Sequence, residues 1–212
     1  MKIQKIMTLA ASIAAFSFST SSPAGDYNPT GAYAPAGAYD PAGAYNKWKW
    51  LKGTYWIVPT NGIYSIAQRA DDNSFTVIRG QTVFSITDYF NGYFTGAVVV
   101  KITAAEIPSC QFVLGQVTPE GQVYMTMYET DSGQVRNNPV GTMVRKAGQW
   151  TMVNQMTSPS LGGTISHWAY MVQSTPKDAT WYSLPFVNES IPDFLSSCPP
   201  GPMIDNPMGL TP

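Results

Sequence analysis

From Thr54 onward apolar and polar side chains alternate in short runs rich in β-branched and aromatic residues, the period of strands with one face turned inward. The runs predict strands over Thr54–Val58, Phe75–Arg79, Thr82–Tyr89, Tyr93–Ile102, Gln111–Thr118, Gln122–Glu129, Gly141–Arg145, Gln149–Thr157 and Thr164–Gln173, with Ile63–Gln68 as a further candidate. Asn91-Gly92, Pro119-Glu120-Gly121 and Lys146-Ala147-Gly148 each put a glycine able to adopt positive φ between two runs, which makes the flanking strands antiparallel neighbours. A meander of eight or nine such strands loses its exposed edges most economically by closing into an up-and-down barrel; a two-sheet β-sandwich is the alternative. The pattern holds no strong amphipathic helix before the end of the domain, where Ser190 is placed to cap a short helical turn reaching Ser197, with Asp193 at its third position.

Upstream of these strands the chain changes character twice. Met1–Lys5 carries two lysines, Ile6–Phe18 is apolar and Ser17–Ala24 is small and polar, the order of a secretory leader whose apolar run is too short to span a bilayer. No later stretch is apolar enough to span. Pro23 to Asn46 is then four consecutive hexapeptides, PAGDYN, PTGAYA, PAGAYD and PAGAYN. Their glycine recurs every sixth residue, which excludes collagen, and they lack the aliphatic residue that a hexapeptide β-helix buries. In polyproline II or an extended strand a period of six puts Tyr27, Tyr33, Tyr39 and Tyr45 on one side, about 18 Å apart, in a segment reaching roughly 70 Å. The segment reads as an extended tether, and its tyrosine stripe makes adhesive contacts a second role for it. The expected organisation is a signal peptide over 1–22, repeats over 23–46, a β-domain over 47–198 and a proline-rich tail over 199–212.

Cys110 and Cys198 are the only cysteines, and a lone, well-separated pair in a secreted chain is expected to form one disulfide. With the leader removed, 10 basic and 13 acidic residues leave a net charge of −3, which offers nucleic acid no basic footprint. Charged residues make up only 12% of the chain and aromatics 13%, so the surface must be rich in Thr, Ser, Gln, Asn and Tyr, a composition suited to extracellular association or carbohydrate. The short leader reads as bacterial, so the expected location is periplasmic or extracellular. The Asn188-Glu189-Ser190 glycosylation pattern is then without consequence.

Few residues point to chemistry. Gly-Gln recurs at Gly80, Gly115, Gly121, Gly133 and Gly148, and reads as a glycine leaving a turn followed by a glutamine starting a strand. Gln side chains beside Tyr124 and Trp150 also suit sugar hydroxyls. Met125 and Met127 share one strand face, and Met143, Met152, Met156 and Met171 recur in later strands. Thioethers favour Cu(I), which makes Met125, Met127, Met171 and the lone His167 weak copper candidates, with barrel filling the plainer role for the methionines. There is no Gly-x-Ser-x-Gly elbow, and Asp88, Glu106, Glu129 and Asp131 stand in no spacing that demands catalysis; a carboxylate pair brought together only by the fold keeps an unrecognised hydrolase as the third reading.

Gly53-Thr54-Tyr55-Trp56 resembles the glycine-x-tryptophan that opens the first strand of lipocalins, with one extra residue between. The resemblance implies a lipocalin/calycin-like barrel forming a cup for a small apolar ligand, with Trp56 at its closed end. The first functional expectation is accordingly a secreted, non-catalytic β-barrel that binds a small apolar ligand or a glycan and is carried on the repeat. Trp56, Tyr124, Trp150, His167 and Trp168 are its candidate contacts, and no cofactor is expected. The second is a structural or adhesive cell-surface or matrix component acting through the repeat tyrosines.

Overall fold

The computed structural model describes residues 41–103, 105, 107–160 and 162–198. Ten strands form one antiparallel sheet: β1 (Thr54–Ile57), β2 (Ile63–Arg69), β3 (Phe75–Phe90), β4 (Tyr93–Ile102), β5 (Ser109–Val117), β6 (Gln122–Glu129), β7 (Val135–Asn137), β8 (Val140–Lys146), β9 (Gln149–Ser160) and β10 (Gly163–Ser174). The helices are short: α1 (Pro41–Asn46), a 3₁₀ turn at Lys49–Leu51, α2 (Ala179–Tyr182) and α3 (Ile191–Ser196).

The strand order follows the sequence. β2 pairs β3, β3 pairs β4, and so on through β5, β6, β8 and β9 to β10, which returns to pair β2 and closes a ring of hydrogen bonds. β1 continues β2 in the same gap, because it also pairs both β10 and β3, and the register shifts only across Val58–Gly62. β7 likewise extends β8 along β6. Each of the three glycine turns joins adjacent antiparallel strands, with Gly92, Gly121 and Gly148 all at positive φ.

Two expectations change. The runs over Phe75–Arg79 and Thr82–Tyr89 are one strand, β3, so Gly80-Gln81 lies mid-strand and is no turn. Glycine is needed there because the neighbouring strand is too close: a β-carbon at Gly80 would sit 2.8 Å from the Lys101 carbonyl oxygen. Gln81 is fully buried beside it. The last hexapeptide, PAGAYN, forms helix α1 instead of extended tether, while Tyr27, Tyr33 and Tyr39 lie outside the described residues. At the other end Ser190 caps α3 as expected, its Oγ accepting from the Asp193 N–H at 3.1 Å.

Strand alternation sorts the apolar side chains into two cores. Trp56, Phe84, Ile86, Phe94, Val98 and Val113 point into the ring. Ile57, Val83 and Val99 point outward and are covered by Leu184, Ile191 and Phe194 from the C-terminal segment, with Tyr55 meeting Trp181 edge-on at 5.0 Å. The unbroken run Val98-Val99-Val100 therefore belongs to a strand covered on both faces. The C-terminal segment is tied down by the Cys110–Cys198 disulfide, with Cα atoms 5.7 Å apart, and by an ion pair from Lys101 to Glu189 at 3.1 Å.

Candidate functional site

The two ends of the ring differ. At one end the 3₁₀ turn carries Trp48 and Trp50 across the opening, where Trp48 meets Trp150 edge-on at 5.0 Å and Trp50 lies 6.1 Å from both Trp56 and Trp150. Trp48 and Trp56 are fully buried, so their indole N–H groups need partners. Trp48 donates to the Thr118 carbonyl at 2.8 Å and Trp56 to Thr54 Oγ1 at 2.9 Å. This end is a plug.

Toward the other end the interior opens into a cavity of about 320 Å³. The wall from β2 to β4 is mostly apolar, with Ile63 from β2, Phe84 from β3, and Val98, Val100 and Ile102 from β4, interrupted by Ser65 and Thr82. The opposite wall mixes Met127, Met156 and Met171 with amides and an imidazole: Gln111 from β5, Asn137 from β7, Asn154 from β9 and His167 from β10. Arg136 is the one charged side chain among the described residues lining the cavity, and it pairs with Glu129 at 3.2 Å.

The amide wall carries unmet hydrogen-bonding capacity. Gln111 Oε1, Asn137 Oδ1, Asn154 Oδ1 and His167 Nδ1 are buried without a protein partner. Gln111, Asn137 and Asn154 are only 5%, 6% and 5% exposed, and such buried polar atoms are normally satisfied. Asn154 is held in a definite pose: its Nδ2 donates to Met171 Sδ at 3.7 Å. Its Oδ1 occupies the space left by Gly141, where a β-carbon would lie 2.2 Å away. Gln111 Nε2 donates to Ser109 Oγ at 3.1 Å. Burial pushes the His167 imidazole below its ordinary pKa, which favours the neutral ring.

Of the residues singled out in the sequence for chemistry, His167, Met127, Met156 and Met171 line this cavity. Trp56 and Trp150 belong to the plug, and Met125 packs in the inner core. Tyr124 and Trp168 are exposed on the outer face of the ring. Tyr45 is the one repeat tyrosine among the described residues; its carbonyl accepts from the Tyr89 hydroxyl at 2.7 Å. No group of three or more His, Cys, Asp or Glu that could hold a metal occurs among the described residues, and no helix there is long and apolar enough to cross a membrane. Gln111, Asn137 and Asn154 escaped the sequence reading. The signal was present for two of them: Gln111 stands two residues before Val113, and Asn154 between Met152 and Met156, each a polar residue in an inward-facing series.

No family model matches the chain, and no curated protein does.

Proposed function

We propose that the closed sheet is an up-and-down β-barrel of the lipocalin/calycin kind and that it works as a secreted, non-catalytic cup for a small, largely apolar ligand. The observation that carries the reading is the asymmetry of the interior: a tryptophan plug seals one end, and a cavity of about 320 Å³ with a mostly apolar wall fills the other. That volume falls in the range of small-molecule sites, about 300–1,000 Å³. Trp56 in the plug agrees with what the glycine-x-tryptophan resemblance implies for the first strand. The disulfide and the leader-like N-terminus fit an oxidising compartment outside the cytoplasm. In this reading the hexapeptides upstream of α1 space the cup from its point of attachment.

The test is uptake of a neutral fluorescent probe, N-phenyl-1-naphthylamine, by the secreted protein. Saturable binding of one probe per chain is expected. Ala169 is buried and lines the cavity from β10, so Ala169→Phe fills it and should abolish uptake while the circular dichroism of the sheet persists. Probe binding that survives in a folded Ala169→Phe protein would place the site elsewhere and overturn the cup.

A further inference from the structure

We propose a second binding site, independent of the cup: a groove on the outer face of the ring that takes a neutral, unbranched β-1,4-linked glycan. Its sugar rings stack on Tyr93 and Tyr124, and its hydroxyls bond to Gln116 and Asn138.

The strand register builds the groove. Tyr93 on β4 stands opposite Gln116 on β5, Gln116 opposite Tyr124 on β6, and Tyr124 opposite Val140 on β8. The same row continues from Val140 to Gln155 on β9 and from Gln155 to Trp168 on β10. The sequence neighbours Phe94, Val117, Val123 and Met125 are buried in the inner core, so alternation turns this row outward, and its side chains are exposed. Between Tyr93 and Tyr124 the surface sinks into an open groove of about 350 Å³, lined also by Leu114, Thr126 and Asn138.

Three features of the lining name the occupant. First, an exposed amide stands between two exposed aromatic rings. A pyranose ring needs both kinds of surface, a flat apolar face for its C–H groups and mixed donors and acceptors for its hydroxyls. At the rim Thr126 Oγ1 donates to Asn138 Oδ1 at 3.0 Å, which orients a second exposed amide with its N–H groups left for a sugar oxygen.

Second, no charged side chain lines the groove among the described residues, so a uronate finds no cation there and a basic peptide no anion. A wholly apolar partner would cover the Gln116 and Asn138 amides without giving them hydrogen bonds, at a desolvation cost. A neutral sugar incurs neither penalty.

Third, Tyr93 and Tyr124 sit on strands two apart, so their α-carbons are separated by about 10 Å, a span that a short straight oligosaccharide bridges. Equatorial β-1,4 links keep the chain extended and leave the ring faces bare, so one molecule reaches both tyrosines.

The experiment titrates cellohexaose and chitohexaose calorimetrically into the full secreted protein, beside hexamannuronate, a β-1,4-linked anion of the same length. Saturable binding of at least one neutral hexamer is expected, about tenfold or more tighter than the anion. Tyr93→Ala and Tyr124→Ala should each weaken it about tenfold, and Tyr124→Phe, which keeps the ring face, by less than about threefold. N-phenyl-1-naphthylamine bound in the cup should not compete with the hexamer, so the two sites fail separately. Absence of binding by both neutral hexamers, equal binding of hexamannuronate, displacement of the probe by the sugar, or binding that survives loss of both tyrosines overturns the proposal. A dimer in sedimentation that Tyr93→Ala with Tyr124→Ala dissociates, without glycan binding, overturns it as well and makes the groove an interface between copies. The hexamer series is run on the unaltered chain, so a variant that fails to fold does not decide the outcome.

Discussion

The ring of Tyr45 lies directly over the α-carbon of Gly92: a β-carbon at Gly92 would fall 2.4 Å from Tyr45 Cδ1. Gly92 is the second residue of the β3–β4 turn, at φ +90°, so the turn conformation and the docked tyrosine both call for glycine at that position. The Tyr89 hydroxyl, donating to the Tyr45 carbonyl, fixes the same contact from the strand side. The last hexapeptide is thus part of the folded domain, and a boundary at Lys47 cuts through it.

A chain beginning at Lys47 should therefore melt below one beginning at Asp40. Losing a half-buried tyrosine and the two hydrogen bonds its carbonyl accepts, from the Tyr89 hydroxyl and the Trp48 N–H, removes about 1–2 kcal/mol, which for a domain of this size is a fall of about 3–6 °C. Tyr45→Ser in the longer chain should reproduce most of it. Equal midpoints would show that α1 rests on the sheet without stabilising it.

Gln81 supports the second prediction. Its Oε1 accepts from the Val58 N–H at 3.1 Å and the Thr82 N–H at 2.9 Å, while its Nε2 donates to the Val58 carbonyl at 3.0 Å and the Pro185 carbonyl at 2.9 Å. One buried side chain thereby satisfies the backbone where β1 gives way to β2 and pins the C-terminal segment beside it. Gln81→Leu leaves four backbone groups without that partner, and Gln81→Glu loses both donated bonds. Each should cost about 3 kcal/mol or more in urea denaturation. A loss under about 1 kcal/mol would mean that water replaces the amide at no penalty.

The same residue marks where sequence reading stops. The turns at Asn91-Gly92, Pro119-Glu120-Gly121 and Lys146-Ala147-Gly148 were legible because their chemistry is local: positive φ is imposed by neighbours along the chain. Gly80-Gln81 and Gly115-Gln116 have the same composition but lie within β3 and β5, where a partner strand dictates the glycine. At Gly115 that partner is Phe94, whose Cζ would be 2.1 Å from a β-carbon. The three-residue β7 escaped because Val135–Asn137 is too short to show a period. Alternation put Trp56 and the methionines inside the ring, yet it is silent on which end of the ring closes. That depends on Trp48 and Trp50, which sit in a turn outside any strand. The cavity wall was hidden for a related reason: Gln111, Asn137 and Asn154 come from three strands and become a site only when the ring is formed.

Breaking the disulfide gives a third prediction. Cys110 and Cys198 close a loop across a sequence separation of 88, so Cys110→Ala with Cys198→Ala should cost about 4 kcal/mol, chiefly by freeing the unfolded chain. The outer core holds α3 on β1, β3 and β4 through Ile191 and Phe194 independently of the bond, so the reduced protein should still fold. Midpoints of the double variant and of the parent in urea, with and without reductant, check this. A parent insensitive to reductant and to both substitutions would show that the outer core alone anchors α3.

Acid should weaken the fold partly through His167. Its ring lines the cavity with Nδ1 unpartnered, and burial pushes its pKa below the ordinary value near 6.5. The folded state then binds fewer protons than the unfolded state between the lowered value and the ordinary one. Stability therefore rises with pH across that window: the contribution is whole above about pH 6.5 and erodes as pH falls toward the folded pKa. His167→Gln removes this titration while leaving the carboxylates of the protein in place. From about pH 7 to about pH 5 the urea midpoint of the parent should fall further than that of His167→Gln, the difference between the two slopes being the histidine's share. Parallel slopes would show that the folded protein accommodates the charged ring, through water entering the cavity, and that the imidazole is not held neutral.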